Sequence, residues 1–123
     1  MRKIVFGLIV ASLLAAAAPC GAAAQSCFYP NQWKSWKAPD DHTIYLKVDT
    51  RVFRLDIGGS CPSLLTGGQL IPRTDSTEST QLCSAINWDL HVRNGGILTR
   101  CIVSNMTQLT PDQVNALPQA ARP

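Results

Sequence analysis

Apolar and polar residues alternate along three stretches of this chain, a period-two pattern that marks half-buried strands. Thr43 to Val48 places Ile44, Leu46 and Val48 on one face and Thr43, Tyr45 and Lys47 on the other. Arg51 to Ile57 places Phe53, Leu55 and Ile57 together. Joining the two through Asp49-Thr50 sets Leu46 opposite Phe53 and Ile44 opposite Leu55, so the apolar faces coincide. A β-branched Thr resists positive φ, which predicts a looser turn than type I′.

Ile86 to Val92 gives the third alternation, with Ile86, Trp88, Leu90 and Val92 inward and Asn87, Asp89 and His91 outward. Asn94-Gly95 then supplies a strong hairpin signal. A two-residue turn there pairs Val92 with Ile97, Leu90 with Thr99, Trp88 with Cys101 and Ile86 with Val103, and sets Asp89 against Arg100 on the outer face.

Between the hairpins, Cys61-Pro62-Ser63-Leu64-Leu65 reads as a compact turn or short 3₁₀ piece. Gln69 to Arg73 reads as a third strand that Pro72 confines to an edge or a bulge. Asp75 to Gln81 is polar and reads as an exposed loop. Near the C-terminus, Thr110-Pro111-Asp112-Gln113 is a capping box with Pro at the first helical position, and Pro118 stops the helix. So short a helix does not persist alone, so Leu109, Val114 and Leu117 are expected to anchor it as a cap on the sheet. From Gln25 to Asp41 the chain is aromatic and irregular, with Phe28, Tyr29, Trp33 and Trp36 among Pro30 and Pro39. These rings are expected to fold back over an open edge of the core. The alternative use of Trp33 and Trp36, with Lys34 and Lys37 beside them, is stacking on bases or sugars. The fold class is mainly β: a small antiparallel sheet of four or five strands curled toward a barrel, with hairpins at 44–57 and 86–103, a short C-terminal helix and two disulfides.

The N-terminal region reads as an address. Arg2 and Lys3 precede an apolar run from Ile4 to Ala18, and Ala22-Ala23-Ala24 offers the small residues of a cleavage site before Gln25. The run is shorter than the roughly 20 residues that span a bilayer, so a cleaved signal peptide over 1–24 is expected, with no stable membrane anchor after cleavage. Acylation of Cys20 is the rival; Pro19 before it and Ala17 argue against it. Of 123 residues, 123 − 24 = 99 then remain, one mature β-domain over 25–123. Losing Arg2 and Lys3 lowers the formal charge from +3 to +1, which sets aside a nucleic-acid binder with a dense basic patch.

Removing Cys20 also turns five cysteines into four: Cys27, Cys61, Cys83 and Cys101. An even count in an exported chain suits two disulfides. The wide spacings lack the close pairs of a structural zinc site, so no metal is expected. Four cysteines allow three pairings, and sequence alone does not choose. Cys61–Cys83 with Cys27–Cys101 is the arrangement preferred here, because it would tie down the Pro/Gly-rich and Ser/Thr-rich excursion and fix the aromatic segment over the core. Cys101 is expected in a buried disulfide near Trp88.

Catalytic chemistry is sparse. His42 follows Asp40-Asp41, and a carboxylate beside an imidazole can orient a catalytic base. Adjacent side chains in an extended segment point to opposite sides, however, and no Ser or Cys occupies an activating motif, so a surface turn is expected. His91 is expected to be solvated on the outer face of its strand. Neither H-E-x-x-H nor G-x-S-x-G occurs, and the Gly-Gly pairs fit no phosphate-binding fingerprint, so no catalytic residue and no cofactor is assigned. Asn105-Met106-Thr107 matches an N-glycosylation acceptor.

Cys27, Trp36, Asp40-Asp41-x-Thr43-Ile44, Cys61-Pro62-x-Leu64, Leu82-Cys83 and a final Cys101 follow one another in an order that resembles a domain-of-unknown-function family of small exported bacterial proteins. The likeness runs from about Cys27 to Thr110. Where many such proteins carry an Asp soon after the Leu-Cys element, this chain has Asn87-Trp88-Asp89. The resemblance implies a bacterial envelope location, periplasmic or secreted, which removes the context for glycosylation; it carries no activity or ligand. Two functional classes follow. One is a non-enzymatic binding or inhibitory module for an envelope protein or glycan; the other is a small hydrolase or redox protein using His42 or a reactive thiol.

Overall fold

The computed structural model describes residues 27–73 and 80–123; the expected leader with Cys20, and most of the polar loop 75–81, lie outside them. Its centre is the hairpin of β2 (Thr43–Val48) and β3 (Arg51–Gly58), paired Leu46 to Phe53 and Ile44 to Leu55 as the alternation requires. The turn between them holds Asp49 at φ 54°, and Thr50 keeps a negative φ. The strands stay paired up to Val48 and Arg51, so this is a tight two-residue turn and not the looser one expected; it departs from type I′ in lacking a positive φ at its second position.

β1 (Trp33–Asp40) adds to the free side of β2, and β7 (Ile102–Gln108) to the free side of β3, giving an antiparallel sheet in the order β1-β2-β3-β7. The part of the aromatic segment from Trp33 to Asp40 is therefore a strand, while Phe28 to Gln32 before it stays outside any strand. The pairing of β1 with β2 is interrupted twice, between Trp33 and Ser35 and between Lys37 and Asp40, and such breaks erase the regular alternation that sequence reading depends on. A second antiparallel sheet has the order β4 (Gln69–Ile71), β5 (His91–Asn94), β6 (Ile97–Arg100). β4 is an edge strand that ends at Pro72, as expected. The fold is mainly β with a short C-terminal helix and two disulfides; the seven strands of the described residues form two open sheets, not one sheet closing toward a barrel.

Between the sheets lies the main core, in which Phe28, Ile44, Leu46, Phe53, Leu55, Leu82, Leu90 and Val92 are essentially inaccessible to solvent. Phe28 stands 4.8 Å from Phe53 and 6.1 Å from Trp88 between ring centroids. The N-terminal aromatics thus reach the core through one buried anchor, with Trp33 and Trp36 packed half-buried against it.

A second cluster forms on the other face of the four-stranded sheet. There α1 (Pro111–Ala116) and the residues on either side of it lay Leu109, Val114, Leu117 and Ala121 over Tyr45 and Val52. Thr110 accepts a hydrogen bond from the Gln113 amide while Gln113 accepts one from the Thr110 amide, which completes the capping box. Because this cap covers β2, Tyr45 is buried where an outward position was expected; Thr43 is buried as well, and Lys47 alone of the three is exposed.

The β5–β6 hairpin departs from its expected register. Val92 pairs with Thr99 and Asn94 with Ile97, a slip of two residues that puts Gly95 and Gly96, both at positive φ, in the turn. Two glycines meet the demand of a type I′ turn for positive φ at both central positions. Asn94 is thereby released from the turn, and its side-chain amide donates to the Ser63 carbonyl at 3.2 Å and the Thr66 hydroxyl at 2.8 Å. These bonds tie the hairpin to the 3₁₀ turn Pro62–Thr66. The strand also starts later than expected. Asn87 Oδ1 accepts from the amides of Cys83 and Ser84, winding Ala85–Asn87 into a 3₁₀ turn and leaving Ile86 88% exposed instead of inward. Asp89 still reaches Arg100, at 3.5 Å, a surface pair of the kind that contributes about 0.2–1 kcal/mol.

The cysteines pair as Cys27–Cys83 and Cys61–Cys101, which corrects the preferred arrangement. Two backbone pairings explain the choice. Phe28 and Leu82 exchange amide hydrogen bonds, which places Cys27 beside Cys83. Gly58 pairs with Ile102, so the chain leaving β3 delivers Cys61 to Cys101 at the junction of β6 and β7. Cys101 is buried in the same core cluster as Trp88.

Candidate functional site

Two places gather polar or aromatic groups, and they lie at opposite ends of β1. The first is the Asp41-His42 turn into β2. A two-residue turn, not an extended segment, carries these residues, so their side chains meet instead of pointing apart: His42 Nδ1 lies 2.5 Å from Asp41 Oδ1. Ser60 donates its hydroxyl to Asp41 Oδ2, also at 2.5 Å, and the His42 amide donates to Asp40 Oδ1 at 3.0 Å. The Ser60 hydrogen bond, followed by that of His42, holds the Asp41 carboxyl below its ordinary range, because both favour the charged form.

This order of groups decides what the cluster can do. A catalytic triad needs the imidazole between hydroxyl and carboxylate, so that it can take the hydroxyl proton. Here the carboxylate stands in the middle, and Ser60 donates to Asp41. Asp40, Asp41 and His42 also offer ligand atoms within 4.8 Å of one another, but on an exposed turn with both Asp41 oxygens already hydrogen-bonded. The geometry is that of a braced turn: Cys61 donates its amide to the Asp41 carbonyl at 2.8 Å, so the cluster positions the Cys61–Cys101 bridge.

The second place is a cleft of about 440 Å³ where the edge strand β1 faces the edge strand β4 of the other sheet. Pro30, Asn31, Trp33, Lys34, Ser35 and Trp36 line one wall, and Gln69, Leu70 and Pro72 line the other. The Trp33 ring stacks toward Trp88, 6.4 Å between centroids, and both cleft indoles rest on the core. Packing from behind holds the rings in place while part of each remains accessible. Sequence reading singled out Trp33, Trp36 and Lys34; it missed Gln69 and Leu70, which only the two-sheet topology brings opposite them.

The remaining candidates fall elsewhere. All four cysteines of the described residues are in disulfides, so none of them is a reactive thiol. His91 is partly buried on β5 and its Nδ1 lies 2.9 Å from the Asp89 carbonyl, in place of the solvated position expected. Asn105 is exposed on β7 beside Asp56 and Thr107, and Met106 turns inward, where its sulfur accepts the Trp88 indole N–H at 3.3 Å. No helix among the described residues is long and apolar enough to cross a membrane. Comparison with protein-family models, with curated proteins and with solved structures found no match.

Proposed function

We propose that this chain is an exported bacterial envelope protein, periplasmic or secreted, that acts as a non-enzymatic binding module and engages its ligand in the cleft between β1 and β4. The observation that carries the reading is the cleft itself: two half-buried indoles, braced by the core, face an opposite wall that ends in Gln69, within a volume inside the roughly 300–1,000 Å³ range of ligand sites. The leader pattern of residues 1–24 and the two disulfides support export to an oxidising compartment. The resemblance of the Cys-Pro-x-Leu and Leu-Cys elements to small exported bacterial proteins points the same way. At the His42 turn, the carboxylate-centred order of groups supports a structural role over turnover.

The test uses the chain exported with its own leader and purified oxidised. Immobilised, it is expected to retain a component of envelope extract that the variants Trp36→Ala and Gln69→Ala release. In an activity screen, a turnover that His42→Ala abolishes in a folded protein would overturn the reading, as would retention unaffected by both cleft variants.

A further inference from the structure

Resting on that reading, we infer that the cleft takes a short saccharide bearing an acidic group. An indole face is electron-rich, and the C–H face of a pyranose ring is apolar and weakly positive, so the two stack as aromatic edges do on aromatic faces. Trp33 and Trp36 supply two such surfaces within one cleft, already desolvated on the side that packs on the core. Sugar hydroxyls need donors and acceptors at the rim, and Asn31, Ser35 and Gln69 provide amides and a hydroxyl there. Lys34 is the charged residue among those lining the cleft, and an ammonium beside stacking rings favours a carboxylate-bearing sugar over a neutral one.

The same walls are poorly suited to an extended peptide. Strand addition needs an uninterrupted row of free backbone donors and acceptors on a sheet edge. β1 is broken twice in its pairing, carries Lys34 and Lys37 and contains Pro39, and β4 is three residues long before Pro72. Lysine, proline and bulges on an edge are the features by which sheets resist added strands. What the cleft offers a ligand is side chains, not a backbone ladder.

Titration of the oxidised protein with trigalacturonate, with the neutral chitotriose and with a ten-residue extended peptide, followed by tryptophan fluorescence and amide chemical shifts, tests the inference. Saturable binding of trigalacturonate is expected, with shifts at Trp33 to Trp36 and Gln69 and with affinity above that for chitotriose. Trp36→Ala should weaken it by about tenfold, the size of one aromatic contact. Trp36→Tyr should restore most of the loss. Gln69→Ala, on an exposed side chain, serves as a second variant where Trp36→Ala fails to fold, and Lys34→Ala should abolish the preference for the acidic sugar. Cleft shifts with the peptide and none with either saccharide would overturn the saccharide while leaving the binding module standing. Equal affinity for the two saccharides would overturn the acidic group, and no shift with any of the three would overturn the inference outright.

Discussion

The β2–β3 hairpin is covered on both faces, by the main core on one side and the C-terminal cap on the other, whereas the β5–β6 hairpin runs out into solvent. Along the first, Ile44, Leu46, Phe53 and Leu55 are fully buried, and Tyr45 and Val52 are buried on the reverse face. Along the second, Ile97 is 70% exposed and Leu98 45%. The registers accordingly have different origins. In β2–β3 a slip would expose apolar side chains or misalign the rows that pack on both sides; in β5–β6 the far end has little burial to lose, so Gly95-Gly96 and the Asn94 ties to the 3₁₀ turn set the pairing.

The largest contrast should appear on truncating one apolar residue in each hairpin. Phe53→Ala is expected to cost about 3–5 kcal/mol and Ile97→Ala within about 0.5 kcal/mol, both by urea denaturation. Comparable losses would mean that the β6 tip is covered in solution and would break the comparison. Next in size is the bridge that joins the end of β3 to the sheet junction: the double variant Cys61→Ala/Cys101→Ala should lower stability by about 2–4 kcal/mol. Amide exchange should show protection falling first in β5–β6, and a uniform fall would show that the two hairpins open together.

Gly68 sharpens the contrast locally. A Cβ there would collide with Asn94 Oδ1 and lie 2.8 Å from the Arg93 carbonyl, so Gly68→Ala must displace the backbone of β5. A cost of about 1–3 kcal/mol is expected, with chemical-shift changes confined to β4–β6. The smallest effect concerns pH. Because the folded Asp41 carboxyl lies below its ordinary value, its contribution is fully present above about pH 4 and is lost as pH falls through the folded value. Asp41→Asn should therefore flatten the acid limb of the thermal-stability profile by lowering stability slightly at neutral pH, where the carboxylate contributes, and leave the most acidic end nearly unchanged. An unaltered acid limb would show that the turn cluster contributes nothing to folding.

What could be read from the chain follows the same division. The β2–β3 register, the capped helix, the edge position of Gln69 to Ile71 and the disulfide cysteines were legible, because each depends on residues close in sequence or on composition. The slip in β5–β6 was not. A shift of two keeps every side chain on its face, so alternation cannot detect it, and only the competing uses of Asn94 decide. The false start at Ile86 has a similar cause, since the side chain of Asn87 outcompetes the strand for local amides. The candidate site was half legible. Aromatic residues beside a lysine drew attention to Trp33, Trp36 and Lys34, but the opposite wall arrives from 33 residues or more along the chain through a sheet order that no local pattern encodes.

The order of the bridges, first cysteine to third and second to fourth, has a topological consequence. Each closed loop contains one end of the other. A peptide-bond cut anywhere between Cys27 and Cys101 leaves a single covalent molecule, and so do two cuts in different intervals between successive cysteines. With Cys61–Cys83 nested inside Cys27–Cys101, two cuts flanking the inner pair would have released it. Parting the four cysteines into two molecules here takes a cut in each of the three intervals, so a chain nicked once, or once in each of two intervals, keeps its fragments together, and with them both walls of the cleft.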